Sequence, residues 1–166
     1  DSLITGMNII DNLLLRDYKK LPFAKHSIVN RSAMRKNAKE KMQQYQVRAS
    51  GKSGVDTQVR LLSGGNQQKL IIARELTDSA KLIIASQPTR GLDIGATEFV
   101  RQQLINQRNA GKAVMLISAD LEEIMALSDR IAVLFGGKIV GVLSREEATV
   151  QKIGLLMGGI SEEEEK

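Results

Sequence analysis

The chain has 166 residues, of which 42% are hydrophobic and 26% charged, and its formal net charge is +5 at pH 7. That composition is ordinary for a globular protein with one modest core. The absence of cysteine excludes a disulfide framework and thiolate metal ligands. No apolar run approaches the ~18 residues that a membrane span requires.

The positive charge is concentrated in one part of the sequence. Between Arg16 and Arg60 there are 12 Lys or Arg residues against 3 Asp or Glu, whereas the rest of the chain is acidic overall. This pattern indicates either a solvated helical face or a docking surface for an anionic partner such as nucleic acid. Few aromatic residues lie among these charges, so stacking platforms for single strands are scarce.

Residues 1–80 are predicted to be mostly helical. The sequence NIIDNLLL, residues 8–15, predicts a short apolar helix. A second helix is predicted where Met34, Ala38, Met42 and Tyr45 recur at helical spacing, with Asn30 or Ser32 as its N-cap. The Gly- and Ser-rich stretch RASGKSGVDT that follows predicts a loop.

The sequence GKSG, residues 51–54, resembles the end of a phosphate-binding loop. The full pattern G-x-x-x-x-G-K-[ST] requires a glycine five residues before Gly51, where this chain has Gln46. The motif must also follow a strand and begin a helix, whereas here it follows a predicted helix. We therefore interpret it as a flexible loop.

The sequence LLSGGNQQKLIIAREL, residues 61–76, predicts a helix with a bare amino terminus. Ser63 is a favourable N-cap, and Gly64 and Gly65 have no side chains to shield the first backbone N–H groups. Free N–H groups and the helix dipole together favour anion binding. A capped helix after a glycine loop explains the same residues equally well, so the pattern by itself leaves both interpretations open.

The second half of the chain predicts apolar strands that alternate with helices. The predicted elements are a strand over residues 82–85, a helix over 96–108 that ends at Gly111, a strand over 113–118, a helix over 120–127, a hairpin around Gly136-Gly137, and a final helix capped by Ser144. Such alternation predicts a parallel sheet covered on both faces. Only two such strands and one hairpin are predicted, which indicates part of a larger fold.

Several motifs in order resemble those of the ATP-binding cassette (ABC) transporter ATPases. The sequence Leu62-Ser63-Gly64-Gly65-Asn66-Gln67-Gln68 resembles the family's signature motif. The sequence LIIASQPTRGLD resembles its Walker B strand and D-loop. AVMLISADLEEIMALSDRIAVLFGGKIVG resembles its switch strand, following helix and terminal hairpin. The resemblance covers nearly the whole chain and is nearest to the second, C-terminal cassette of fused importers of simple sugars or nucleosides.

The resemblance implies an α/β fold that is a partial P-loop-type cassette. A helical subdomain over residues 1–80 would end in the signature helix. Residues 81–166 would form the C-terminal part of the α/β ATPase core, with parallel strands, covering helices and a C-terminal hairpin. The family's Walker A and Q-loop segments are absent from this sequence, so we expect the chain by itself not to bind ATP tightly.

Three positions depart from what the family pattern requires for hydrolysis. Ser86 replaces the Asp that helps hold Mg²⁺, Gln87 replaces the Glu that polarises the attacking water, and Ala119 replaces the switch histidine. A hydroxyl or amide is a weaker ligand for a hard cation than a carboxylate, and glutamine cannot act as a general base. We therefore expect a disabled hydrolysis site with no intact catalytic residue, no bound metal and no ATPase activity by the chain alone.

The resemblance implies a role in trans for the intact motifs. Ser63, Gly64, Gly65, Asn66 and Gln67 would contact ATP held by a partner cassette, which would belong to the same full-length polypeptide. Arg90, Gly91, Leu92 and Asp93 would form the D-loop at the interface between cassettes. The complete transporter would use ATP and Mg²⁺ and include membrane permease subunits, on the cytoplasmic face of the membrane.

Two other functions stay open at the level of sequence. A scaffold domain would keep the cassette fold without engaging nucleotide, although such a domain has no need for a bare helix N-terminus. A basic nucleic-acid module would show strongly salt-dependent binding. The fragment could also dimerise or swap elements to cover an exposed sheet edge.

Overall fold

The computed structural model describes residues 3–25, 28–49, 51, 53–77 and 79–160. These residues form two compact units. The first comprises Asp1–Ile83 and Pro88–Ala113, and the second comprises Ile84–Gln87 and Val114–Lys166. Lys52 of the GKSG sequence lies outside the described residues. The division at residue 80 concerns subdomains of a larger cassette and stays a prediction.

Among its described residues, the first unit contains four α-helices. They are α1 (Ile9–Leu13), α2 (Arg31–Gln44), α3 (Gly64–Glu75) and α4 (Ile94–Asn109), with short 3₁₀ turns at Gly54–Asp56 and Val59–Leu61. The predicted helical spacing of α2 is confirmed, because Met34, Ala38 and Tyr45 are all buried in the core. Asn30 is its N-cap and accepts a hydrogen bond from the backbone N–H of Ala33 at 3.0 Å.

The first unit also contains strand structure that the sequence did not predict. Two-residue strands, β1 (Ala24–Lys25) and β2 (Ile28–Val29), pair in antiparallel fashion. Strands of this length are too short to show an alternating pattern, so no periodic signal indicated them.

Asn12 joins α1 to the segment that precedes it. Its side chain is fully buried, accepts a hydrogen bond from the N–H of Ile4 at 2.9 Å and donates to the carbonyl of Ile4 at 3.0 Å. It also donates to the carbonyl of Asn8 at 3.0 Å. Because a buried amide without partners would be costly, these three bonds explain a polar residue in the middle of an apolar helix.

Strands β3 (Leu82–Ser86) and β4 (Ala113–Ile117) form a two-stranded sheet. Hydrogen bonds from Ala113 N to Lys81 O and from Gln87 N to Ile117 O join like ends of the strands, which are therefore parallel. The expectation of cover on both faces is wrong for the described residues. Alternate side chains of both strands are 43% to 62% exposed, namely Leu82, Ile84, Met115 and Ile117.

The second unit contains helix α5 (Leu121–Leu127), the hairpin of β5 (Arg130–Phe135) and β6 (Lys138–Ser144), and helix α6 (Val150–Met157). The predicted hairpin turn is confirmed: Gly136 and Gly137 have φ values of +56° and +77°, which two-residue turns of this kind require. One face of the hairpin packs into a core of Ile131, Val133, Leu143, Ala148, Ile153 and Leu156.

Ser144 does not cap the final helix, so that prediction was wrong. Its N–H donates to the carboxylate of Glu147 at 2.9 Å, and its hydroxyl accepts from the N–H of Glu147 at 3.3 Å. This reciprocal pair closes a turn, and α6 starts later, with Thr149 as its N-cap. The Ser144 backbone N–H, followed by its hydroxyl, lowers the pKa of Glu147 below its ordinary value.

Within the described ranges, every helix is too short or too polar to cross a lipid bilayer.

Candidate functional site

The amino terminus of α3 is exposed and capped. Ser63 has an extended backbone and is the N-cap, and its hydroxyl accepts a hydrogen bond from the N–H of Asn66 at 3.4 Å. The backbone N–H groups of Gly64 and Gly65 belong to the first turn, where a helix offers no internal acceptor. A Cβ atom added at Gly64 would meet nothing within 4 Å. Gly64 therefore has no side chain, and no close neighbour at its Cβ position, to cover the first turn.

Gly65 has a different environment from Gly64. A Cβ atom at Gly65 would lie 3.0 Å from the Cβ of Ala96 and 3.3 Å from Oδ2 of Asp93. Asp93 is the N-cap of α4, and its Oδ1 accepts from the N–H of Ala96 at 2.8 Å. The amino termini of α3 and α4 thus lie side by side, and the missing side chain of Gly65 permits this contact.

The amides that follow the glycines bond to nearby protein atoms. Asn66 donates from Nδ2 to Oγ of Ser63 at 2.9 Å and accepts from the N–H of Arg48 at 2.7 Å. Gln67 donates from Nε2 to the carbonyls of Leu62 at 3.1 Å and Val59 at 3.4 Å. Through these hydrogen bonds, both amides stabilise the turn before α3. Their contact with nucleotide stays a prediction.

The segment predicted as the D-loop runs along the exposed surface between β3 and α4. Arg90 and Gly91 are exposed, and Gly91 has a φ of +73°, a conformation that favours glycine. Leu92 packs against the core of the first unit. The structure thus assigns Asp93 a capping role, and its place at an interface between cassettes stays a prediction.

Two residues of α3 that sequence reasoning missed connect it to the D-loop segment and α4. Nε2 of Gln68 donates to the carbonyl of Pro88 at 2.8 Å. The ammonium group of Lys69 lies 4.8 Å from the centre of the Phe99 ring, a cation–π contact. Both partners lie 20 or more residues further along the chain, so no local sequence signal could have indicated them.

The three degenerate positions lie in the second unit, at the carboxyl ends of β3 and β4. Ser86 is exposed at the last residue of β3, and Gln87 bonds through its N–H to Ile117 O at 2.7 Å. Gln87 has a φ of +48°, which is unfavourable for a residue with a side chain. Ala119 is exposed two residues after β4. This edge brings together a hydroxyl, an amide and a methyl group, and none of them is a general base.

Among the described residues, no group of three His, Cys, Asp or Glu side chains is arranged to hold a metal ion.

Comparison with solved structures defines the class of protein. The fold matches a dimeric structure of a post-hydrolysis state of the ATP-binding cassette MJ0796 bound to ADP and Pi, with a TM-score of 0.66 and 26% identity. The match covers 86% of this chain and 59% of that one. The fold is therefore α/β and that of a partial ABC ATPase cassette, as the sequence predicted.

Sequence comparison identifies closer relatives. The chain is 48% identical over 162 residues to the guanosine import ATP-binding protein NupO of Bacillus subtilis (strain 168), covering 98% of this chain and 31% of the relative. It is 44% identical over 159 residues to the nucleoside import ATP-binding protein NupA of Lactococcus lactis subsp. cremoris (strain MG1363). This match covers 96% of this chain and 31% of the relative. No protein-family model matches.

By close homology and by fold, the chain belongs to the ABC ATPase cassettes. It spans about a third of the length of the curated relatives it matches.

Proposed function

We propose that the chain is part of the ATP-binding subunit of an ABC importer of nucleosides or simple sugars, and that it supplies the signature motif in trans to ATP held by a partner cassette. The observation that carries the in-trans role is the contrast between two parts of the chain: the first turn of α3 is open at Gly64, whereas the strand ends carry Ser86, Gln87 and Ala119 instead of hydrolytic groups. The names of NupO and NupA support nucleosides as the solute class.

The first turn of α3 has the chemistry needed to contact a phosphate. Backbone N–H groups at a helix N-terminus point along the helix dipole and favour an anion. The first turn of α3 contains no acidic residue of its own, and the nearby Asp93 carboxylate accepts from the N–H of Ala96 at the start of α4. Ser63, Gly64 and Gly65 would hold a terminal phosphate by a hydroxyl and two backbone N–H groups, which requires no titratable group of this chain.

Ser86 and Gln87, at the carboxyl end of β3, do not fit the role of the family's magnesium-binding and water-polarising acids. Mg²⁺ prefers carboxylate and phosphate oxygens, and Ser86 and Gln87 offer a neutral hydroxyl and amide. Gln87 can orient water but cannot take its proton. We therefore assign hydrolysis to the partner cassette, which would supply the phosphate loop, the carboxylates and the bound metal.

The proposed assembly pairs two cassettes on membrane subunits. The match to a dimeric cassette supports the pairing, and Arg90, Gly91, Leu92 and Asp93 would lie at the contact between cassettes. Permease subunits would bind the helical part, and the protein would be peripheral on the cytoplasmic face. ATP and Mg²⁺ would act in the complete transporter and would not bind tightly to these residues alone.

The test is an arginine substitution at Ser63 in the complete transporter, reconstituted with its permease. Ser63→Arg places a long side chain over the open first turn and should abolish ATP turnover. The matched control is Ser53→Arg, because Ser53 is an exposed serine of the same unit whose side chain makes no capping hydrogen bond. Full turnover in Ser63→Arg would reject the in-trans role and favour a scaffold domain that does not engage nucleotide.

A second measurement tests the disabled site. The purified chain alone should hydrolyse no ATP above background. Turnover by this chain that disappears in Gln87→Ala would show that its own site is active.

A further inference from the structure

We propose that Asn66 is a positioning residue that fixes the Ser63 hydroxyl as a hydrogen-bond donor toward phosphate. This inference rests on the proposed function of the signature sequence. This role uses the Asn66 side chain within the protein and requires no contact between that side chain and a ligand.

The orientation of the Asn66 amide is set by a rigid backbone donor. The N–H of Arg48 can bond only to an acceptor, so the amide oxygen of Asn66 faces it at 2.7 Å. Arg48 is held in place by its neighbours, because Val47 is buried in the core and Ala49 packs against it. With the oxygen fixed on Arg48, the amide nitrogen must face Ser63.

The amide nitrogen then determines what the Ser63 hydroxyl can do. A hydroxyl has one hydrogen to donate and two lone pairs that accept. Nδ2 of Asn66 donates to Oγ at 2.9 Å, and the backbone N–H of Asn66 donates to the same atom at 3.4 Å. Both accepting positions are thereby used, and the single hydrogen is left to donate outward.

A donor is what a phosphate oxygen requires, because a deprotonated phosphate oxygen only accepts. A freely rotating serine hydroxyl would have to be ordered when the cassettes close, whereas this one is ordered beforehand. Preorganised donors contribute more to catalysis than donors that reorient during the reaction. Asn66 therefore acts through Ser63.

The discriminating variant is Asn66→Asp in the complete transporter. Aspartate keeps the shape and the acceptor for Arg48, and an acid in the first turn of a helix is compatible with folding. Its oxygens cannot donate, so the Ser63 hydrogen turns toward the new carboxylate and is lost to phosphate. We expect kcat for ATP to fall about tenfold or more, with KM within about twofold because the partner's phosphate loop still holds ATP.

A double-mutant cycle separates this role from simple charge repulsion. In a Ser63→Ala background, Asn66→Asp should reduce kcat by less than about twofold further, because the hydroxyl through which Asn66 acts is already absent. Asn106→Asp adds the same charge at an exposed position in the last turn of α4 and should leave turnover unchanged.

Three results would decide against the inference or its basis. Independent, multiplicative losses from Ser63→Ala and Asn66→Asp would show that Asn66 does not act through the hydroxyl. Wild-type turnover in Asn66→Asp alongside slow turnover in Ser63→Ala would overturn the inference and leave the proposed function standing. Full turnover in both Ser63→Ala and Ser63→Arg would instead reject the proposed function.

Discussion

Adjacent glycines in the signature sequence should respond in opposite ways to the same substitution. Gly64→Ala adds a methyl group that meets nothing within 4 Å, whereas in Gly65→Ala the new Cβ lies 3.0 Å from the Cβ of Ala96. Ala96 is buried at the start of α4, whose Val100 is fully buried in the core. The neighbour of Gly65 therefore cannot move aside without shifting a packed helix.

Comparing Gly65→Ala with Gly64→Ala isolates the free-energy cost of the close contact with Ala96. Both variants gain the helix preference of alanine over glycine, up to about 1 kcal/mol in a helix interior and less in a first turn. Only Gly65→Ala adds overpacking, which costs roughly 1–3 kcal/mol where a core cannot adjust. The free energy of unfolding of Gly65→Ala should therefore be about 1–3 kcal/mol lower than that of Gly64→Ala.

Urea unfolding of the two purified variants measures this difference, and ATP turnover of the complete transporter gives the functional counterpart. Gly64→Ala should be as stable as the wild type or slightly more so, yet slow in turnover, because its methyl group covers the N–H groups proposed to meet phosphate. Equal unfolding free energies for the two variants would refute the packing argument. Wild-type turnover in Gly64→Ala would refute the phosphate argument.

Three further variants and one control test other contacts of the chain by urea unfolding. Asn12→Ala should destabilise the chain by about 2 kcal/mol or more, because it leaves the N–H and carbonyl of Ile4 without their partner; a loss below about 0.5 kcal/mol would contradict this reasoning. Gln68→Ala should lower the free energy of unfolding by about 1 kcal/mol, because it removes the donor to the carbonyl of Pro88. Its control, Gln102→Ala at an exposed position of α4, should change that free energy by less than about 0.5 kcal/mol. Glu147→Gln should flatten the acid side of a plot of the free energy of unfolding against pH. The pKa of Glu147 is lowered in the folded state. Its contribution to stability is therefore present above the ordinary glutamate pKa and is lost as pH falls through the folded-state pKa. An acid limb of unchanged slope in Glu147→Gln would contradict the proposed effect of the hydrogen bonds between Ser144 and Glu147.

Elements with a strong local pattern could be predicted from the sequence. Helix α2 follows from apolar residues at helical spacing after a capping asparagine, and the hairpin follows from two apolar runs around Gly136-Gly137. The helix that begins after Ser63 could be placed in the same way. Each of these signals lies within a few residues, where backbone sterics and capping chemistry act.

Features that depend on distant partners could not be predicted. The hydrogen bond from Gln68 to Pro88 and the close approach of Gly65 to Ala96 exist only after α3 and α4 have packed together. Ser144 shows a related limit: a serine followed three residues later by glutamate is a capping pattern, yet here it closes a turn. The pattern specifies a local hydrogen-bonded pair and leaves open whether a helix continues from it.

The candidate site contains both features with a local sequence pattern and features that depend on distant partners. Ser63, Gly64 and the polar residues at the end of β3 were identified by their order along the chain. The difference between Gly64 and Gly65, and the hydrogen bond from Arg48 to Asn66, depend on packing between distant segments and are visible only in the structure. Sequence alone would have treated the two glycines as equivalent because both lack a side chain.

The most direct test compares, in one ATPase assay, a variant of the signature motif with a variant of the polar residues at the end of β3. ATP turnover of the complete reconstituted transporter would be measured for Ser63→Arg and for the double variant Ser86→Ala, Gln87→Ala. We expect Ser63→Arg to abolish turnover and the double variant to leave it nearly unchanged, since hydrolysis is assigned to the partner cassette. Turnover that survives Ser63→Arg but is lost in the double variant would contradict this assignment.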